Sequence, residues 1–139
     1  IWVAGTIAKD SGDEFPVIKE IKEDGSKALW TWDSQTTKFA TVSALELGPE
    51  GGLYLAGSNG QLGQTQRAMM ARVSTLGAHG WLLFHTNAAP ASFSGLLHDG
   101  DYMVAAGDVA ATTNTKPAKP ANALLFRTNA KGQQFCSGK

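Results

Sequence analysis

Scarcity narrows this chain first. One cysteine, Cys136, stands among 139 residues, so no disulfide forms within it. In a secreted protein an odd cysteine points to a bridge with another chain, and the plainer alternative is a small buried hydrophobe at a strand end. With one cysteine and three histidines, a Cys/His metal centre is excluded. Charge of one sign is also missing, since 12 basic residues face 12 acidic ones. Lys116 and Lys119 fall in a proline-containing loop, and Lys19 and Lys22 are offset by Glu20 and Glu23. That removes the electrostatic footprint of a nucleic-acid binder. No apolar run approaches the ~18 residues of a membrane helix, and no secretory leader is visible. The chain opens at Ile1 inside a strand-like run, so the expectation is a piece of a longer protein whose leader lies elsewhere. Helical apolar stripes are absent too.

Glycine, by contrast, is plentiful, at 16 residues, and it punctuates a phrase written three times. A short apolar strand ends in Gly at Trp2-Val3-Ala4-Gly5, Tyr54-Leu55-Ala56-Gly57 and Met103-Val104-Ala105-Ala106-Gly107. A polar stretch, a second apolar strand, a glycine turn and an aromatic follow each time. The second strands are Val17 to Ile21, Met69 to Val73 and Leu124 to Thr128. The turn glycines are Gly25, Gly77 and Gly132, and the aromatics are Trp30, Trp81 and Phe135. Gly5, Gly57 and Gly107 lie 52 and 50 residues apart. A fixed period in this range marks repeat architecture.

Short alternating apolar runs and turn-forming glycines predict an all-β chain. The expected strands are Ile1 to Ile7, Val17 to Lys22, Ala28 to Trp32, Thr41 to Leu47, Leu53 to Ser58, Ala68 to Val73, Trp81 to His85, Ser92 to Leu97, Tyr102 to Gly107, Ala123 to Thr128 and Gln133 to Cys136. From Thr41 onward each unit holds four strands, and the first unit lacks its opening strand. Four-stranded antiparallel units at this period predict blades of a β-propeller, with repeats at about 1–40, 41–91 and 92–139. The segment is one repeat domain or part of a larger propeller. The rival fold is a β-trefoil, which also has three four-stranded repeats but whose lectin branch carries a Gln-x-Trp signature missing here.

The motifs Val3-Ala4-Gly5-Thr6, Phe15-Pro16, Ile21 to Ser26 and Leu29-Trp30 resemble the bacterial secreted β-propeller repeat. Gly52 to Ser58, Arg72 and Gly77 to Trp81 repeat the resemblance, as do Gly100 to Gly107, Leu125-Phe126-Arg127 and Asn129 to Gly132, with Phe135 in place of Trp. The second unit lacks the Phe-Pro. The resemblance implies a propeller fold, secretion or cell-surface display, and a binding or scaffolding habit. It implies no catalytic residue and no cofactor.

Three blades do not close a ring, so the expected partner is another chain or a second copy that completes it. A glycan is the other partner candidate, through a trefoil lectin or an aromatic platform. Trp30, Trp81 and Phe135 share a repeat position and are expected to pack between neighbouring units. Trp32 breaks that pattern and is the better ligand candidate. His85, His98 and Asp99 are the remaining ligand-binding candidates, since a His beside an Asp suits a general base or a metal ligand; their turn context favours plain hairpin chemistry. The acidic stretch Asp10 to Glu14 lacks calcium-loop spacing. Arg72 and Arg127 match across units and are expected to make an ion pair or hydrogen bond within a unit. Loops 10–14, 58–66 and 110–122 differ while their flanking strands match, as specificity loops do. The function expected is a non-catalytic binding or assembly module. The alternatives are a carbohydrate-binding trefoil and part of a propeller enzyme whose site lies on other blades.

Overall fold

The structure is a computed structural model, described for residues 1–8, 13–25, 28–33, 40–60, 65–75, 78–85, 89–110 and 122–134; for 28–33 and 79 the backbone alone is described. Among the described residues ten strands run in chain order: β1 (Trp2–Ala8), β2 (Glu14–Ile21), β3 (Ala28–Asp33), β4 (Ala40–Leu47), β5 (Gly52–Asn59), β6 (Arg67–Ser74), β7 (His79–Phe84), β8 (Ala91–Asp99), β9 (Tyr102–Val109) and β10 (Asn122–Asn129). They form three antiparallel meanders: sheet 1 is β1-β2-β3, sheet 2 is β4-β5-β6-β7, and sheet 3 is β8-β9-β10. Within each sheet, strands consecutive in the chain are neighbours. Thr128 bridges Gln134 at the start of the expected eleventh strand, whose residues Phe135 and Cys136 lie outside the described residues.

The glycine of the repeated phrase has a steric cause. In sheet 2, Gly57 pairs with Val42, and β4 carries a bulge between Val42 and Ala44. In sheet 3, Gly107 pairs with Phe93, and β8 bulges between Phe93 and Gly95. The bulge drives a carbonyl into the space a side chain would fill. A methyl on Gly57 would overlap the Thr41 oxygen and lie 3.1 Å from the Val42 Cα; one on Gly107 would overlap the Ser92 oxygen and lie 2.7 Å from the Phe93 Cα. Glycine inside a strand marks such a close backbone approach.

Sheet 2 is the middle layer. Tyr54, Ala56, Ala68 and Met70 on one face pack against Ala91, Phe93, Met103 and Ala105 of sheet 3. Leu53, Leu55, Ala71 and Val73 on the other face pack against Ile18, Trp2 and Ala4 of sheet 1. Burial on both faces explains why Gly52 to Ser58 is buried without alternation, although the strand carries two interleaved contact sets. Trp81 behaves as expected for a packing aromatic. It meets Tyr54 edge-on at 5.8 Å, and its Nε1 donates to the Ala130 carbonyl at 2.9 Å beyond β10. Between sheets 1 and 2 the Thr6 hydroxyl donates to the Ala40 carbonyl at 3.2 Å and accepts from the Val42 amide at 3.4 Å, which gives two backbone groups of β4 a partner.

Three expectations need correction. Phe15-Pro16, which the repeat resemblance puts in a polar loop, lies in β2, where Phe15 pairs with Ile7 and Pro16 with Thr6 of β1. His98 and Asp99 belong to β8 rather than to the turn, which narrows to Gly100 and Asp101 with Gly100 at φ 59°. His85 falls just outside β7. No sheet closes on itself among the described residues, so they do not form the barrel of the rival trefoil.

Candidate functional site

The sequence-predicted site residues do not converge. His98 lies near the turn end of β8, where its Nε2 meets the Gly100 carbonyl at 2.6 Å. Asp99 pairs with Tyr102 at the same hairpin. His85 sits beyond the opposite end of the neighbouring sheet, where its amide donates to the Ala68 carbonyl at 2.9 Å. Strands of this length separate the two ends by about 20 Å. The Trp32 side chain and Cys136 lie outside the described residues, as do most of the three variable loops. Among the described residues no three His, Cys, Asp or Glu side chains gather where they could hold a metal ion. Among the described residues no helix is long and apolar enough to cross a membrane.

The matched arginines make different contacts. Arg72 reaches Glu50 at 3.5 Å and lies 5.9 Å from the Tyr54 ring centre. Arg127 stacks over Tyr102 at 3.7 Å, a cation–π contact where an ion pair or hydrogen bond was expected. Both leave a buried Nε without a hydrogen-bond partner. Tyr54 beneath Arg72 has its phenol pushed above the usual value of 10.0 by burial, an effect that Arg72 partly opposes.

The feature that stands apart is the outer face of sheet 3. Ile18, Met70 and Leu125 occupy one repeat position, each opposite the alanine that precedes the phrase glycine: Ile18 with Ala4, Met70 with Ala56, Leu125 with Ala106. Ile18 is 0% exposed under sheet 2 and Met70 is 0% exposed under sheet 3, whereas Leu125 is 70% exposed. Leu97, opposite Val104 on the same face, is 63% exposed. The far end of the stack mirrors this along β1 but not along β2, where Phe15 opposite Ile7 and Val17 opposite Gly5 are 4% and 7% exposed. Leu55 and Ala105 are buried, and their counterpart Val3 in sheet 1 is 46% exposed, flanked by exposed Ile1 and Ile7.

Sequence reasoning missed these faces because the same residue types serve as core inside the stack and as surface at its ends. The burial of equivalent positions separates them, and that signal needs coordinates. The chain matches no protein-family model, and a search of curated proteins finds no relative.

Proposed function

We propose that this chain is a non-catalytic assembly module, a three-blade segment of a secreted or cell-surface β-propeller. The observation that carries this reading is the exposure series at Ile18, Met70 and Leu125. Each sheet buries this position under the next sheet, and sheet 3 presents it to solvent. A surface built to be covered by another sheet, at one end of a stack whose other end exposes Val3 and Ile7, favours head-to-tail association. The proposed occupant is a second copy, which brings its Val3 and Ile7 face onto Leu97 and Leu125 and completes a ring of six blades. Full burial of a leucine is worth about 1.5–3 kcal/mol, so the two leucines alone make a material contribution to association. Secretion rests on the resemblance of the repeats.

Replacing an exposed leucine by a charge tests this without touching the core. Sedimentation velocity on Leu125→Asp is expected to show monomer where the native chain associates, with unchanged circular dichroism. Association that persists in Leu125→Asp would remove this face from the assembly.

A further inference from the structure

β5 ends on Asn59, and Gly60 follows it within the variable stretch 58–66. An asparagine followed by glycine is the pair in which a chain most readily attacks itself. The glycine nitrogen reaches the asparagine Cγ with no side chain in the way, and glycine adopts the backbone angles that ring closure needs.

The fold explains why glycine stands at position 60. A methyl there would lie 2.7 Å from the Gln66 Cα. Gln66 is held by two contacts: its carbonyl accepts from the Ala91 amide at 2.9 Å, and its Nε2 donates to the Ser58 hydroxyl at 2.7 Å. The main chain of Gln66 is therefore a fixed obstacle to any side chain at residue 60. The ladder is also at its weakest here. Asn59 pairs with Ala40 and with Arg67, which are the first residues of β4 and β6. All three strands stop at one level, and the ends of elements open at little free-energy cost. Ring closure takes Asn59 out of the extended conformation, and this happens without disturbing the buried Ala56 and Met70 further along the sheet.

Other positions are held or less reactive. The Asn129 Oδ1 accepts from the Lys131 and Gln133 amides, each at 3.0 Å, and its Nδ2 donates to the Gln133 Oε1 at 2.8 Å. Alanine follows both Asn122 and Asn129. Gly25 and Gly100 follow aspartates, whose carboxylates are poorer electrophiles than a carboxamide. The Gly25 amide already donates to the Lys22 carbonyl at 2.9 Å.

We infer that Asn59-Gly60 is a self-modification site. The Gly60 nitrogen attacks the Asn59 Cγ and forms a C–N bond. The side-chain amino group leaves with the displaced proton as ammonia, which gives a five-membered succinimide. Water then adds to one of the two ring carbonyls and breaks its C–N bond. One opening yields aspartate at position 59, and the other yields isoaspartate, whose main chain is one atom longer. Solvent water is the co-reactant. Both products place a carboxylate where the chain was neutral, opposite Arg67, and move the formal net charge from zero to one negative unit. The site belongs to the middle sheet and is independent of the assembly reading.

The native chain, incubated for weeks at neutral and mildly alkaline pH, is read by peptide-mapping mass spectrometry, with isoaspartate labelled by an isoaspartyl methyltransferase. Conversion of amide to acid at Asn59 is expected to run at least about tenfold faster than at Asn122 or Asn129, where the following residue carries a Cβ. It is expected to quicken as pH rises, because the attacking nitrogen must lose its proton. Asn59→Gln would have to close a six-membered ring, and is expected to lose the acidic species on anion exchange while circular dichroism and the unfolding midpoint hold. Asn59 left intact in the folded chain would overturn the inference, and conversion of a peptide of residues 56–64 in the same buffer would then assign the protection to the ladder. Equal conversion at Asn59, Asn122 and Asn129, or an acidic species that persists in Asn59→Gln, would overturn it as well.

Discussion

Three glycines that are equal in the sequence are expected to respond unequally to the same substitution. Gly57→Ala and Gly107→Ala each place a methyl against main-chain atoms of the neighbouring strand, the Thr41 and Ser92 carbonyls. Main chain has no alternative rotamer, so the bulge must shift or the ladder must open. Overpacking of this kind costs about 1–3 kcal/mol, and a rigid backbone obstacle belongs at the upper end. Replacing a strand glycine by alanine returns about 0.5–1 kcal/mol through the unfolded chain. The net expectation is a loss of about 2 kcal/mol at Gly57 and at Gly107. Gly5→Ala meets nothing within 4 Å and keeps only the favourable part, a gain of about 0.5 kcal/mol. With a urea m value of ~2 kcal/mol/M, the first two midpoints fall by roughly 1 M and the third rises slightly. Urea unfolding followed by circular dichroism reads all three. Equal losses at Gly5, Gly57 and Gly107 would refute the carbonyl seat as the reason for the repeated glycine.

Trp81→Phe keeps an aromatic against Tyr54 but leaves the Ala130 carbonyl without its donor, and thermal unfolding is expected to show a loss of about 1 kcal/mol; an unchanged midpoint would show that the bond contributes nothing to holding sheet 2 on sheet 3. The raised phenol of Tyr54 stabilises the fold fully below the ordinary value of 10.0. Stability is expected to fall as pH rises from there through the folded value, because the unfolded chain gives up that proton first. Tyr54→Phe removes that loss, so its stability relative to the native chain improves between pH 9 and pH 11, as urea unfolding across that range would read. Thr6→Val deletes the hydroxyl that bridges the Ala40 carbonyl and the Val42 amide, and is expected to cost about 1 kcal/mol and to raise amide exchange at Val42.

Much of the fold is legible in the residues. The alternation in Thr41 to Leu47 and the spacing of Gly5, Gly57 and Gly107 place the strands to within a few residues, and each expected strand from Ile1 through Thr128 has its counterpart. The failures share a cause, which is that local chemistry is overridden by neighbours. The repeat resemblance puts Phe15-Pro16 in a loop, yet both residues lie in β2 and pair with Ile7 and Thr6. His98-Asp99 reads as turn because Asp and Gly cluster there, yet the hairpin needs only Gly100 and Asp101. The site was less legible. Leu125 and Met70 are both large apolar residues in matched strands, and only the stacking order tells that one is core and the other an end face. The ion pair or hydrogen bond expected at Arg127 became a contact with Tyr102, since Tyr102 stands where sheet 2 has Gly52.

The central claim is that the stack is open and is completed by association through its end faces. Native mass spectrometry and sedimentation of the purified chain over a wide concentration range, with and without reductant, test it most directly. The expected result is a species of twice the 14.6 kDa chain mass, dissociating on dilution and lost in Leu125→Asp; loss on reduction would additionally make Cys136 its covalent link. A well-folded monomer of 14.6 kDa at every concentration would contradict the claim.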